Sequence, residues 1–429
     1  MPVDTPYSPH VATATLHRPG SPRAAFAHTA FRWVFLGAFA SNIGTWMQNV
    51  ALLAFADHLS HHASYVGLVT LAQLGPMLVL SPFGGALADV VNRKTIMISA
   101  AAVQLILSLG LAAVAAGDHP SKLAVVLCAL GIGIASSANG PAAAATLPAL
   151  VGRADIAGAV SLNSAQMNAS RVVGPLLAAI AFLHRPTNVF VVNAATYLFV
   201  IAALLLVDFD GRPNHTHTET PLQRLAGGLH AARLDPVMRR ALVTVAIYSL
   251  CSLAYIYQMK GFARSNLHLP DSRFGLLFSS FGLGAAIGAV AVGTVLSQLS
   301  RTLVTRVGLT GFGVTLAIFA LLRSPGPAYP VVAATGFFYF LVITALSTAL
   351  QQAVDDEVRG RVMGLWMMGW AGLVPVGTYL AGLVIDDIGH RPVMLFGAAV
   401  ALALVGYANL RSTPLEPQHL ADSAPTPFL

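Results

Sequence analysis

The stretch SPFGGALADVVNRKT, residues 81–95, places three charged side chains between two long apolar runs. Asp89 is followed closely by Arg93 and Lys94, and Gly85 lies one helical turn before it. A carboxylate at a helix end can pair with a nearby cation or with a neighbouring helix terminus, and a glycine lets helices approach closely. We therefore interpret these four residues as a gating loop that holds helix ends together in one conformation and releases them in another. The alternative is a solvated loop with ordinary charges.

The composition of the chain excludes a soluble globular protein. Of its 429 residues, 56% are hydrophobic and 10% are charged, against roughly 25% charged residues in a typical soluble protein. Because so few charges cannot cover the surface of a soluble fold of this size, we expect the chain to be surrounded by the lipid bilayer. We attribute the net charge of +7 to orientation signals in membrane loops, and expect no nucleic-acid partner.

Twelve apolar runs are long enough to cross a membrane. A hydrocarbon core about 30 Å thick needs roughly 20 apolar residues in helical form. The sequence therefore predicts an all-α membrane protein with twelve transmembrane helices. The predicted spans are 33–55, 64–86, 95–116, 122–145, 156–182, 187–207, 240–259, 273–297, 302–322, 329–352, 360–385 and 392–410.

The loop charges predict how these spans are oriented. If both termini are cytoplasmic, sixteen Lys and Arg residues fall in cytoplasmic segments and seven in external ones. This bias follows the positive-inside rule. We expect a multi-pass protein of the bacterial cytoplasmic (inner) membrane with both chain ends inside the cell.

A long polar segment divides the spans into two related halves. We predict a cytoplasmic N-terminal tail over 1–30, a six-helix bundle over 31–207, a cytoplasmic central loop over 208–239, a second six-helix bundle over 240–410 and a cytoplasmic C-terminal tail over 411–429. HRPTNVF at 184–190 matches HRPVMLF at 390–396, and Gly85 and Arg93 match Gly293 and Arg301. Parallel halves related by an axis along the membrane normal are a common plan of transporters.

The gating loop resembles a signature of the major facilitator superfamily. Within GGALADVVNRK, the residues Gly85, Leu87, Asp89, Arg93 and Lys94 match Gly-x-Leu-x-Asp-x-x-Gly-Arg-Lys, and Asn92 replaces the second Gly. SNIGTWMQNVAL at 41–52 and VRGRVMGLW at 358–366 resemble a branch that contains enterobactin and multidrug-type exporters. The resemblance implies the major facilitator fold, with two pseudo-symmetric six-helix bundles, and secondary active transport by alternating access.

The fifth span carries a second motif and a cation. SRVVGPLLAA at 170–179 resembles the span-five element of drug/proton antiporters, which Gly174 and Pro175 match, and this resemblance favours export. Arg171 falls near the middle of the membrane, where a cation costs at least about 2.5–3.5 kcal/mol. We expect it to face a polar cavity and to bind an anion or take part in coupling; the alternative is a structural Arg bonded to nearby carbonyl groups and amides.

The resemblance also implies that spans one, four, seven and ten line a central cavity. Polar and aromatic side chains on these spans suit a bulky, partly apolar ligand. The alternative for each is hydrogen bonding between helices, which uses the same residue types. The predicted cavity residues are Asn42, Thr45, Trp46, Gln48, Asn49, Asn139, Tyr248, Ser252, Tyr255, Gln258 and Gln351.

Coupling to an energy source is less clearly marked. Proton antiport normally needs a titratable group in the pathway, and no carboxylate lies at the centre of any span. Asp57, at the outer end of span one, is the candidate; the alternative is an ordinary interfacial acid. We expect the proton gradient to supply the energy, with no cofactor.

Motifs for other chemistry are missing from the sequence. The histidines of HLSHH at 58–62 and HTH at 215–217 have no Cys or acidic framework around them, so we expect no metal site. The sequence has no phosphate-binding Gly-rich loop and no nucleophile elbow. We therefore expect neither ATP hydrolysis nor another enzymatic activity.

Together these features predict an exporter of a small amphipathic molecule, a siderophore or drug-like compound, that acts by proton antiport as a monomer. Two alternatives stay open. One is an uptake permease of the same fold, and the other is a membrane receptor or scaffold that transports nothing.

Overall fold

The computed structural model describes residues 19–178, 185–209, 211–212 and 221–410. Twelve long helices account for most of them, and each overlaps one predicted span. They are α1 Thr29–Ser60, α2 Ala63–Val90, α3 Arg93–Ala116, α4 Lys122–Val151, α5 Ile156–Ala178, α6 Pro186–Leu206, α7 Pro236–Leu267, α8 Asp271–Gly293, α9 Arg301–Leu321, α10 Ala328–Ala353, α11 (Asp356–Met367, Met368–Gly372 and Leu373–Ile388) and α12 His390–Tyr407. The predicted all-α fold is confirmed.

Local signals explain several helix boundaries. Asn92 ends the connection after α2 and caps α3, because its side-chain oxygen accepts from the N–H of Lys94 at 2.9 Å. Ser300 caps α9 at the equivalent position of the second half, accepting from Leu303. The predicted eighth span was too long: α8 ends at Gly293, since the polar residues that follow form hydrogen-bonded turns instead of a further helical turn.

Two of the long helices are less apolar than the rest. Ten of the described helices are long and apolar enough to cross a membrane by length and composition. The other two are α1 and α5, which carry polar side chains such as Asn49 and Arg171 along their length. Polar groups at membrane depth normally face other helices or a cavity, so these two helices are where a site is expected.

Both described ends of the chain and the central segment lie at one end of the helical bundle, which we call the terminal face. Gly20 donates its N–H to Asp155 between α4 and α5 (2.9 Å), and Gly211 accepts from the N–H of Arg93 (2.9 Å). The N–H of Leu410 donates to Thr302 at the start of α9 (3.0 Å). The opposite end, the distal face, carries the connections α1–α2, α3–α4 and α11–α12.

Two short helices lie at the terminal face. Pro22–Ala27 precedes α1, and Pro221–Leu234, the linker helix, lies between α6 and α7 and packs against the start of α11. The bounds predicted for the tails, the central loop and the two bundles stay predictions. The tail residues 1–18 and 411–429, and 213–220 of the central loop with its HTH sequence, lie outside the described residues.

The two groups of six helices meet along α2 with α11 and α5 with α8. The contacts are close because glycines replace larger side chains there. A Cβ on Gly282 of α8 would lie 2.7 Å from the carbonyl oxygen of Arg171 on α5. A Cβ on Gly67 of α2 would lie 2.7 Å from the Cα of Tyr379 on α11. Close approach of helix backbones is a typical packing mode in membranes.

Both α7 and α11 are interrupted by an irregular turn. Each contains a π-helical segment, Tyr248–Ser252 in α7 and Met368–Gly372 in α11. Within α7 the N–H of Leu253 donates to the carbonyl of Tyr248, five residues earlier, at 3.2 Å. Such insertions are frequent at functional sites, and they change which residues share one face of a helix.

Candidate functional site

A cavity of about 170 Å³ lies where the two groups of six helices meet. α1, α2 and α5 form its walls on one side, and α7, α8, α10 and α11 form them on the other. The lining is largely aromatic and aliphatic, with few polar groups. It consists of Trp46, Leu74, Met77, Arg171, Ile256, Tyr257, Phe278, Phe281, Gly282, Ala285, Tyr339, Phe340, Trp370, Ala371 and Val374.

Arg171 is the charged residue of this lining. Its guanidinium carbon lies 4.6 Å from the centre of the Phe340 ring and 5.5 Å from that of Trp46. Its Nη1 donates to the side-chain oxygen of Asn168, one turn earlier, at 3.2 Å. Each cation–π contact is worth about 0.5–2 kcal/mol, so the two together offset a large part of the cost of placing this charge in the membrane. Arg171 thus presents a cation inside an aromatic enclosure.

The wall of the cavity that α7, α8, α10 and α11 form adds hydroxyl and indole groups. The indole N–H of Trp370 donates to the hydroxyl oxygen of Tyr339 at 3.0 Å, and the Tyr339 ring stacks on Phe281 with centres 5.6 Å apart. Tyr257 completes this polar side. A few oriented polar groups in an otherwise apolar enclosure are typical of small-molecule sites.

Of the predicted cavity residues on α1, only Trp46 lies in this lining. The hydroxyl of Thr45 lies 3.3 Å from that of Tyr197 on α6. Gln48 is buried and accepts from the amide of Asn193, also on α6, at 2.8 Å. Amides and hydroxyls on α1 therefore tie α1 to α6.

The other predicted residues of α1 and α4 lie outside the cavity lining as well. Asn49 accepts from the side chain of Gln73 on α2 at 2.8 Å. Asn42 and Asn139 are half-buried. No residue of α4 contributes to the lining of this cavity.

The predicted residues of α7 and α10 are mostly held by protein partners. Ser252 donates to the carbonyl of Gly397 on α12 at 2.8 Å. Gln258 donates to the carbonyls of Ala63 (3.0 Å) and Thr378 (3.2 Å). On α10, Gln351 is exposed and donates to Ser347 at 3.0 Å.

Two predicted tyrosines of α7 are buried behind the cavity. Tyr248 packs edge-to-face on Phe312 with centres 4.9 Å apart, and Tyr255 packs on Phe281 and Phe312. Both tyrosines therefore share one face of α7, as their helical spacing predicts, but that face packs on Phe312 of α9. Ile256 and Tyr257 line the cavity instead. The face of α7 that meets the cavity depends on the neighbouring helices, and no feature of the sequence marks it.

The gating loop ties together helices of the first half. The Arg93 guanidinium donates to the carbonyls of Ala145 on α4 (3.0 Å) and Ala88 (3.3 Å). Lys94 donates to the carbonyl of Val207 just after α6 (2.9 Å). Asp89 is half-buried in the last turn of α2. The side chains of the two cations therefore contact α2, α4 and the residues Val207 and Phe209 that follow α6, and the gating role of the loop stays a prediction.

Glycine contacts differ from the prediction at one position. The close helix contact expected at Gly85 lies at Gly84 instead, where a Cβ would meet the backbone of Ser137 on α4, while Gly85 faces open space. In the span-five motif, Gly174 is at a close contact: a Cβ there would lie 2.6 Å from the Cβ of Trp46. Gly174 and the adjacent Pro175 are buried, so the motif sets how closely α5 approaches the Trp46 side of α1.

The distal face is closed by polar bonds between the two groups of helices. Asp57 at the end of α1 accepts two bonds from Arg264 of α7, at 2.8 and 3.1 Å. Asp386 of α11 accepts from the N–H groups of Ala63 (2.7 Å) and Ser64 (3.1 Å), which begin α2. A second pocket, of about 740 Å³, lies against these bonds. On the terminal side, glycines such as Gly140 of α4 and Gly364 of α11 face open space.

A family profile decides which class of protein carries this geometry. The profile described as "Transmembrane secretion effector" matches residues 20–427. The chain belongs to this transmembrane secretion effector family. It is therefore a membrane transporter of the major facilitator superfamily, not an enzyme, and it crosses the membrane several times.

Relatives and solved structures agree with this assignment. The transporter is 27% identical over 401 residues to the enterobactin exporter EntS of Shigella dysenteriae, an alignment that covers 90% of this chain and 94% of the relative. Among solved structures, the nucleoside transporter NupG has a TM-score of 0.69 at 14% identity, covering 89% of this chain and 96% of NupG. A bacterial homolog of the human lysosomal transporter Spinster, inward-facing and unoccupied, has the same TM-score and coverage, also at 14% identity. At these identities, the structures show the shared fold alone.

The histidines considered for metal binding do not form a site in the part of the transporter that the structure describes. Among those residues, no three His, Cys, Asp or Glu side chains come close enough to hold a metal ion. His62 of the HLSHH sequence lies 3.8 Å from Asp386 at the distal pocket.

Proposed function

We propose that this transporter exports a small amphipathic molecule with aromatic and anionic groups by alternating access, in exchange for protons. The observation that carries the proposal is Arg171, a cation enclosed by Trp46 and Phe340 at the junction of the two groups of helices. A ligand with an anionic group gains an ion pair with Arg171, and aromatic rings can stack on the walls of the cavity.

The location of the cavity supports alternating access. Its walls come from both groups of helices, so a rocking motion of one group against the other changes its shape and its access. The distal face is closed by Asp57, Asp386 and their partners. This arrangement corresponds to a state that loads substrate from the terminal face.

If the terminal face is cytoplasmic, as the distribution of positive charges predicts, this state takes up substrate from the cytoplasm, as export requires. The similarity to enterobactin exporters also favours export, and it makes enterobactin the first substrate to test. We propose the bacterial cytoplasmic membrane as the location. Labelling of single cysteines at Arg233 and His119 in intact cells tests the orientation, because the first lies on the linker helix and the second on the distal α3–α4 connection.

Transport by the purified protein tests the proposal. The full chain is reconstituted in proteoliposomes with an imposed pH gradient, and enterobactin movement is measured in both directions. We expect movement toward the side that the distal face contacts, driven by acidification of that side. Accumulation only in the opposite direction would establish the uptake alternative, and a protein that binds enterobactin without moving it would support the receptor alternative.

A further inference from the structure

We propose that the carboxylate of Asp57 is the proton-binding site of the exchange cycle, and that a proton and the guanidinium of Arg264 compete for it. The inference rests on the proposed proton-coupled function and names the group that carries the proton. It also ties proton binding to one mechanical event, the opening of the distal face.

The pair joins the two groups of helices. Asp57 lies on α1 and Arg264 on α7, and both carboxylate oxygens accept from the guanidinium, at 2.8 and 3.1 Å. The Asp57 side chain is 4% exposed and that of Arg264 is 36% exposed. Opening of the distal face separates α1 from α7, and so removes the Arg264 guanidinium from a buried carboxylate.

A proton can replace that cation. Burial and the loss of a cationic partner both favour the protonated form of a carboxylate, whereas the paired carboxylate has both oxygens occupied by Arg264. Proton and guanidinium therefore exclude each other. The proton binds Asp57 in the open state, and Arg264 binds Asp57 in the closed state. A rise in proton concentration at the distal face therefore shifts the population toward the open state.

Asp57 is placed to receive a proton from the distal side. It lines the distal pocket of about 740 Å³, so solvent at that face reaches the pair. The other charged or titratable groups of this pocket come from four elements: His61 and His62 on the α1–α2 connection, Arg264 on α7, Asp386 on α11, and His390 and Arg391 on α12.

His390 is the neighbour that most needs a separate test. Its ring Nε2 is buried and has no hydrogen-bond partner among the described residues. A Cβ placed on Gly261 of α7 would lie 2.6 Å from this nitrogen and 3.6 Å from Oδ1 of Asp57. A proton on His390 would therefore act on the same pair, and the experiment must separate the two groups.

The experiment measures the distance across the distal face as a function of pH. Spin labels are attached at His58→Cys on α1 and Ser265→Cys on α7, both at exposed positions, after replacement of Cys128 and Cys251 by Ser. The full chain is studied in lipid nanodiscs without substrate, so the result does not depend on knowing the ligand. In the parent protein we expect the population with the longer distance to grow as the pH falls.

Asp57→Asn cannot pair with Arg264 as an anion or take up a proton. We expect it to raise the ratio of open to closed protein at neutral pH by roughly tenfold and to abolish the pH dependence. Arg264→Gln removes the competing cation, and should likewise leave the distal face open at neutral pH. The matched control is Asp387→Asn, which removes an exposed carboxylate at the distal end of α11. This variant should keep the pH profile of the parent protein.

Three results would overturn the inference. They are an unchanged pH profile in Asp57→Asn, a parent protein whose distance does not respond to pH, and loss of the response in His390→Gln with its retention in Asp57→Asn. Should Asp57→Asn not fold, Arg264→Gln and the parent profile decide the question. Failure of the transport assay with a normal pH response would instead count against the proposed function.

Discussion

At the residue scale, the proposed recognition of substrate depends on Arg171. The sequence marks this residue, because an arginine in the middle of an apolar span requires a special environment. The sequence does not reveal the environment itself, since Phe340 comes from α10 and Trp46 from α1. The same limit explains why Thr45 and Gln48 were predicted to line the cavity although they do not. An amide or hydroxyl in a span can face a cavity or a neighbouring helix. Here Tyr197 and Asn193 on α6 are the hydrogen-bond partners of Thr45 and Gln48.

The first prediction concerns the charge of Arg171. Arg171→Gln removes the cation but keeps a polar side chain of intermediate length, and we expect enterobactin affinity to fall about tenfold or more, since a bond to a charged group is worth about 1.5–3 kcal/mol. Arg171→Lys should retain part of the affinity through its charge. Isothermal titration of the purified proteins measures both effects.

A control separates local from general effects of losing a cation. Arg233 is exposed on the linker helix, and Arg233→Gln should leave the affinity unchanged. Equal affinities in Arg171→Gln and the parent protein would remove Arg171 from the binding site.

At the element scale, the apolar runs predicted all twelve helices. A helix of about 20 apolar residues spans the hydrocarbon core of the bilayer and makes its backbone hydrogen bonds internally. The neighbour that each helix face meets could not be predicted. Tyr248 and Tyr255 share a face of α7, as their spacing predicts, but that face packs on Phe312 of α9, and Ile256 and Tyr257 line the cavity. The helical pattern of one span does not contain that information.

The second prediction tests the contact between α1 and α5. In Gly174→Ala the new methyl group would lie 2.6 Å from the Cβ of Trp46 and 2.8 Å from the carbonyl oxygen of Ile43, so the helices must move apart. Overpacking costs about 1–3 kcal/mol, which outweighs the gain of up to about 1 kcal/mol from higher helix propensity. We expect a lower melting temperature in detergent and weaker substrate binding.

Gly140→Ala provides the matched control for this substitution. Gly140 is also a glycine within a long helix, but the position of its Cβ has nothing within 4 Å. This variant should keep or slightly raise the melting temperature. Equal destabilisation by both substitutions would show that the α1–α5 contact is not the cause.

The third prediction concerns the short helix before α1. The hydrogen bond from His28 and the N–H of Gly20 lower the pKa of the Asp155 carboxyl. A carboxyl whose pKa is lowered in the folded state stabilises the contact above its ordinary pKa, and that contribution is lost as the pH falls through the lowered value. Asp155→Asn should therefore remove hydrogen-exchange protection from residues 20–27 at neutral pH, and strong acid should do the same in the parent protein.

Asp118→Asn is the comparison for this experiment, because Asp118 is exposed on the α3–α4 connection of the distal face. It should leave the exchange of residues 20–27 unchanged. Protection that persists in Asp155→Asn would mean that apolar packing alone holds this helix in place.

At the scale of the whole molecule, the transporter consists of two groups of six helices with a cavity between them. The repeated sequence features predicted this plan, and equivalent positions such as Arg93 and Arg301 do begin equivalent helices. The bonds that close the distal face could not be predicted, since Asp57 and Arg264 are far apart in sequence. Their pairing depends on how the two groups of helices meet.

Alternating access means that the cavity opens to one face at a time, and two distances measured under the same conditions show whether it does. One spin-label pair spans the distal face, at His58→Cys and Ser265→Cys, and a second pair spans the terminal face, at Gly140→Cys and Gln351→Cys. On addition of enterobactin and on acidification, we predict that the distal distance lengthens as the terminal distance shortens. Distances that change in the same sense, or that stay fixed under both conditions, would rule out alternating access.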